Sequence, residues 1–293
     1  MLSRISITCF AASYAVALLL ELTRLWFRSG VRGAAMLAFA GAGLIAHTMF
    51  LAYRGLTTSG GIPLSSEFDW YLIAAWALTV VYLYLTVYHP RTAFGPFVLP
   101  VVLGLVGIAA RFADRTPFPR SQALEVWGMI HGLSLLAGTV AVATGFVGGV
   151  MCLVQARRLK HKVAPHSGLQ LPSLEWLERL NARAITISMM ALAIGFLSGI
   201  VLNLVNDRLH VDHLPWSDPI VWSSALLLGW LVAAAGFTWF YRPARQGRKV
   251  AYLTVASFLF LVLAVVVRVG LPSVHGGGRS SEASLEPQAE ARP

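Results

Sequence analysis

Eight histidines hold most of the chemistry available to this chain. Imidazole ligates haem iron and other metals, and it carries protons near neutral pH. His47 lies inside one apolar stretch, His131 opens another, and His275 follows a third. An ionisable side chain within a membrane span is costly unless it faces protein or water, so His47 reads first as functional. The competing reading is a neutral histidine bonded to a neighbouring helix, because neutral imidazole is much cheaper to bury than a charge. His210 and His213 stand in a polar stretch, and their His-x-x-His spacing sets two ligands on one helical turn. Asp212 lies between them, but no cysteine or glutamate nearby completes a metal site. Cys9 and Cys152 form no CxxC pair and sit in apolar runs, which argues against a thiol–disulfide relay. The chain has no Ser-His-Asp signature, phosphate loop or HExxH.

The elements that position these residues must be membrane helices. Of 293 residues, 57% are hydrophobic and 12% charged, and the mean hydropathy is +0.68. Soluble domains run about 45–50% apolar and about 25% charged. The composition excludes a soluble enzyme, a disordered chain and a disulfide scaffold. Eight apolar segments cover 4–23, 34–53, 70–88, 94–110, 127–154, 184–206, 219–241 and 250–271. A span needs roughly 20 apolar residues, so the expected fold is an all-α polytopic bundle of about eight transmembrane helices. The fifth segment is long enough to tilt or to run past the bilayer. The fourth contains Pro100, and a short re-entrant segment there would change the count. The first has one early Arg4, then Glu21 and Arg24 at its far end, and reads as a retained span rather than a cleaved signal.

Charge sets the expected orientation. The connections after the first, third, fifth and seventh segments hold 14 of the 23 basic residues, with Arg157, Arg158, Lys160 and Lys162 in the richest of them. The other side holds 9, offset by ten carboxylates that include Glu67, Asp69, Asp114 and Asp218. The positive-inside rule puts the first set in the cytoplasm and both termini on the outer face. The formal charge of +10 then reflects topology and contact with anionic lipid, not nucleic acid. His89, His161 and His166 fall on the cytoplasmic side. His47, in the outer half of its span, converges with His131, His210, His213 and His275 on the outer side.

The connections carry local signals. Ser173 is placed to cap a short amphipathic helix over 173–178, with Leu174, Trp176 and Leu177 at the inner membrane surface. Gly145/Gly149 and Gly195/Gly199 are GxxxG pairs suited to close helix contact. Gly60, Gly61 and Pro63 mark a turn, after which Glu67 caps or orients the third span; Glu67 and Asp69 read as structural. Trp216 and Trp222 are either aromatic-belt residues or an apolar platform for a flat ligand. The domain reading is a single membrane domain over 1–275 and a disordered, Gly/Ser/Glu-rich tail over 276–293.

A set of ordered stretches carries a resemblance. These are Gly61-Ile62-Pro63-Leu64-Ser65-Ser66-Glu67, Trp127-Gly128-Met129-Ile130-His131-Gly132, and Leu171-Pro172-Ser173-Leu174-Glu175-Trp176-Leu177-Glu178-Arg179-Leu180. Gly195-Phe196-Leu197-Ser198-Gly199, Trp216-Ser217-Asp218-Pro219 and Val274-His275 follow. Across roughly residues 40–275 the chain resembles the cytochrome c assembly family, which includes the CcsA and CcmC haem-handling proteins and the HemX-type proteins. That resemblance implies haem handling on the outer face of a bacterial inner membrane. It implies His131 and His275 as the external pair ligating haem iron and His47 as an intramembrane histidine. Trp216 and Asp218 correspond to what remains of a tryptophan-rich loop, with Trp222 beyond. The family's fuller loop has a WGxxWxWD pattern, and its reduction here resembles the HemX-type branch. The implied partners are other cytochrome c biogenesis membrane proteins, apocytochrome c and the lipid bilayer. The rival readings are a small-solute permease, a membrane electron carrier that keeps its haem, and a non-catalytic scaffold for an assembly complex.

Overall fold

Each apolar segment forms an α-helix in the computed structural model, which describes residues 6–23, 30–57, 66–90, 92–115, 125–162, 170–208, 215–240 and 248–270. In order these are α1 (Ile7–Thr23), α2 (Gly30–Thr57), α3 (Glu67–Tyr88), α4 (Gly95–Arg111), α5 (Glu125–Lys160), α6 (Leu174–Arg208), α7 (Pro219–Phe240) and α8 (Arg248–Gly270). No strand occurs among the described residues. The physical reason is that a lipid-embedded backbone must satisfy its N–H and C=O groups internally, which a helix does within one segment. Six helices are long and apolar enough to cross a membrane; α1 and α4 have 17 residues each. At 1.5 Å per residue those two reach about 25 Å, slightly under the hydrocarbon thickness. Pro100 lies inside α4, which runs through it as one helix rather than breaking into a re-entrant hairpin.

The short surface helix expected over 173–178 is not a separate element. Ser173 does cap a helix start, its Oγ accepting the Trp176 N–H at 3.4 Å. But α6 continues from Leu174 to Arg208 without interruption. No proline or glycine intervenes before Gly195, and Leu177 is fully buried in the protein core rather than lying in the bilayer interface.

The helices pack as two four-helix groups, α1–α4 and α5–α8, with α5 reaching across to α3 and α4. The α5–α6 seam is an antiparallel pairing. An added Cβ at Gly138 would meet Leu192, at Gly145 Ala184, and at Gly148 Asn181. Gly149 faces α8 instead, where a Cβ would lie 2.5 Å from Thr254 Oγ1 and 3.0 Å from the Ala251 carbonyl. Gly145 and Gly149 therefore sit at close helix approaches, as small residues do where lipid supplies no hydrophobic drive for helix association.

The helix ends sort onto two sides, in the partition expected from the charge pattern. On one side Glu21, fully buried at the end of α1, accepts the Gly95 N–H that starts α4. There Ala93 N–H also donates to the Gln170 carbonyl, and His89 meets Trp176 edge-on at 5.9 Å between ring centroids. On the other side the ends of α2, α4 and α8 gather around the start of α3. Cys9 and Cys152 are unbridged.

Candidate functional site

The candidate site lies on the N-terminal turns of α5. His131 sits two turns into that helix, on the seam with α6. Its imidazole packs directly over Gly199, where a Cβ would fall 2.7 Å from Cε1 and 2.8 Å from Nδ1. Its Nδ1 lies 2.7 Å from the Gly195 carbonyl oxygen. A carbonyl oxygen can only accept, so Nδ1 must carry the proton and donate. In the neutral ring Nε2 is then the unprotonated nitrogen, with its lone pair available to a metal. The next residue, Gly132, abuts the Trp70 ring of α3, so α3 closes the seam from the other bundle. Trp127, Met129, Ile130 and Leu133 of the same turns are exposed and apolar.

The start of α3 holds the surrounding helix ends together. Ser66 is its N-cap. The Ser66 Oγ accepts the Asp69 N–H, and the Asp69 carboxylate accepts the Ser66 N–H. This reciprocal pair satisfies two otherwise open donors. Asp69, almost fully buried, also accepts the Arg54 Nε–H of α2 at 2.6 Å. Arg54 and Arg115 lie over the Phe68 ring at 4.7 and 4.9 Å from its centroid. The Phe68 N–H donates to the Asp114 carbonyl. Glu67 pairs with Arg268 of α8 through two contacts, 3.1 Å from Nε and 3.2 Å from Nη2. Glu67 thus does not cap α3, as the sequence reading allowed; it ties α3 to α8, and the capping falls to Ser66 and Asp69.

His47 is placed apart from His131. It is fully buried on α2, which packs on α1 and α3. Its ring stacks on Phe10 at 4.1 Å, nearly parallel, and its Nδ1 lies 3.2 Å from the Tyr14 hydroxyl. Gly43, one turn earlier, leaves space for the Tyr14 ring. Nε2 of His47 has no hydrogen-bond partner among the described residues. The two histidines share no neighbour in these contacts, so the structure does not join them into one site.

Trp216 and Trp222 are 52% and 67% exposed. No hydrogen bond or ring contact links them to His131 among the described residues. Asp218 between them is structural: its Oδ1 accepts the Ile220 N–H at 2.8 Å at the start of α7, a helix that opens with Pro219. Arg111 is exposed in the last turn of α4. His210, His213, His275, Arg120, the turn at 60–65 and the tail 276–293 lie outside the described residues. No group of three metal-binding side chains occurs among the described residues. Sequence reasoning missed the link between His131 and the α6 glycines. The signal was present: the GxxxG pair falls opposite His131 once α5 and α6 are aligned antiparallel.

The family model described as Cytochrome C assembly protein matches residues 64–275, which spans α3 to α8 with both His131 and His275. The chain is 24% identical over 237 residues to a cytochrome c biogenesis protein CcsA from Synechococcus sp. (strain CC9902), covering 71% of this chain and 75% of that one. No solved structure matches the chain significantly.

Proposed function

The chain belongs to the cytochrome c assembly protein family, and from that membership we propose that it holds haem as cargo on the outer membrane face, between His131 and His275. The family and the membrane-spanning helices give the coarser statement directly: this is a multi-pass membrane protein with a role in c-type cytochrome biogenesis, working beside other assembly proteins. The finer reading adds the haem, its ligands, a bacterial inner membrane and outward-facing termini.

The observation that carries the proposal is the direction of the His131 hydrogen bond. With Nδ1–H given to the Gly195 carbonyl, Nε2 of the neutral ring is left unprotonated as an electron-pair donor on the α5–α6 seam. Metal-bound histidines commonly show this pattern, the second nitrogen bonded to a carbonyl or carboxylate. Bis-imidazole ligation would need a second histidine, and the resemblance assigns that role to His275, beyond the end of α8. The exposed indoles of Trp216 and Trp222 and the apolar surface of Trp127 and Ile130 would pack against the macrocycle. Arg111 and Arg115 would attract its propionates. His47 supports a lesser role. Its open Nε2 is a buried polar atom, but the ring is clamped by Phe10 and Tyr14 inside the other bundle.

The protein's own residues bind and orient; they need not change a bond. Having no CxxC pair, the chain would leave the cysteine chemistry of covalent attachment to apocytochrome c and its other partners. The reduced tryptophan loop favours the HemX-type branch.

The test is the visible spectrum of detergent-purified protein from haem-supplied cells, oxidised and dithionite-reduced, with His131→Ala and His275→Ala beside it. A Soret band that weakens in both variants is the expected result. A colourless wild type that also fails to bind haem on titration overturns the proposal in favour of a permease or scaffold.

A further inference from the structure

Resting on that haem reading, we propose that Gly199 and the Gly195 carbonyl are positioning groups for His131, the first making room for its ring and the second selecting which nitrogen is left free.

The two glycines of this GxxxG pair meet different things. A Cβ at Gly199 would press on the imidazole itself, 2.7 Å from Cε1 and 2.8 Å from Nδ1, and any side chain there would displace the ring. A Cβ at Gly195 would meet Leu135, 2.7 Å from Cδ2, and no atom of His131 is among its nearest neighbours. What Gly195 gives the histidine is its carbonyl oxygen, 2.7 Å from Nδ1. The Ser198 hydroxyl donates to that same oxygen at 2.9 Å. A GxxxG pair ordinarily brings helices together. Here the seam already has Gly138 against Leu192 and Gly145 against Ala184 for that purpose. The face at Gly199 is covered by an imidazole instead of a helix backbone. Moving the ring would break the Nδ1–H bond, release the tautomer and turn Nε2 away from its present direction. Loss of such an outer partner typically weakens metal binding about 10–100-fold.

The experiment compares Gly199→Ala, Gly138→Ala and His131→Ala in the full-length protein, by titration with hemin in detergent and by the visible spectrum that reports one or two axial imidazoles. The expected result is that Gly199→Ala weakens hemin binding about 10–100-fold and takes on the spectrum of His131→Ala, while Gly138→Ala, which presses on Leu192 in the same seam, stays close to wild type. Adding Gly199→Ala to His131→Ala should then have no further effect, because both act through one interaction. Equal behaviour of the two glycine variants, or additive losses in the double variant, overturns the proposal, since a role in helix packing would move both alike. A measurement on wild-type protein removes dependence on variant folding. In histidine labelled with 15N and 13C, the signal lost in His131→Ala should report a proton on Nδ1; a proton on Nε2 overturns the proposal. If His131→Ala leaves the haem spectrum unchanged, the ligand assignment itself falls, even where the labelled ring shows the expected tautomer.

Discussion

The Glu67–Arg268 pair offers a quantitative test of how the two bundles are held together. Replacing Arg268 with Gln removes the charge but keeps much of the side-chain length. The two contacts are 3.1 and 3.2 Å, and the side chains are 20% and 17% exposed. An exposed ion pair contributes roughly 0.2–1 kcal/mol. Breaking one side of a fully buried pair costs about 3–5 kcal/mol, chiefly because the remaining charge is stranded. With about a fifth of each side chain still open to screening, the expected cost falls between these limits, at about 2 kcal/mol. That corresponds to roughly 30-fold in the folding equilibrium. The assay is reversible unfolding in mixed detergent micelles with increasing SDS, followed by tryptophan fluorescence. The variants are Glu67→Gln, Arg268→Gln and the double. Arg268 has further contacts, so the single variants alone overstate the pair, and the cycle isolates it. A coupling of about 1–2 kcal/mol is expected. A coupling under about 0.5 kcal/mol, the limit within which distant sites add, would refute the view that this pair links α3 to α8.

Asp69→Ala should destabilise the protein by about 3 kcal/mol in the same assay, because it strands Arg54 and opens the α3 cap; Ser66→Ala should cost about 1 kcal/mol. Gly149→Val should lower stability by at least about 1–3 kcal/mol, since its Cβ would meet Thr254 and the Ala251 carbonyl. Gly229→Ala, with open space around it, should be neutral or slightly stabilising. Tyr14→Phe combined with His47→Phe should cost less than the two single losses added together, because replacing both partners leaves no buried group unpaired; strictly additive losses in thermal unfolding would argue against that pairing. With native cysteines replaced, a membrane-impermeant maleimide should label Ser281→Cys in intact cells but Lys160→Cys only after the membrane is opened. The reverse pattern would invert the orientation read from charge.

Much of this protein was legible along the chain. Eight runs of apolar residues became eight helices, because span length and the need to satisfy the backbone in lipid are one-dimensional constraints. The sorting of helix ends onto two sides followed from the same runs, as the contacts of Arg54, Glu67, Asp114 and Arg268 on one side and of Glu21 and Trp176 on the other bear out. The ordered short motifs pointed to the family. Lateral arrangement was a different matter. A helix that faces lipid is apolar nearly all round, so periodicity does not say which face meets which neighbour. Nothing in the local sequence announced that His47 would stack on Phe10, that Glu67 would leave the cap to Ser66 and Asp69 and pair with Arg268, or that α6 would absorb the helix expected at 173–178. His131 was marked by its residue type and position. Its tautomer was decided by tertiary structure alone, because the acceptor that fixes it is a backbone carbonyl 64 residues away, on a helix brought close by a glycine.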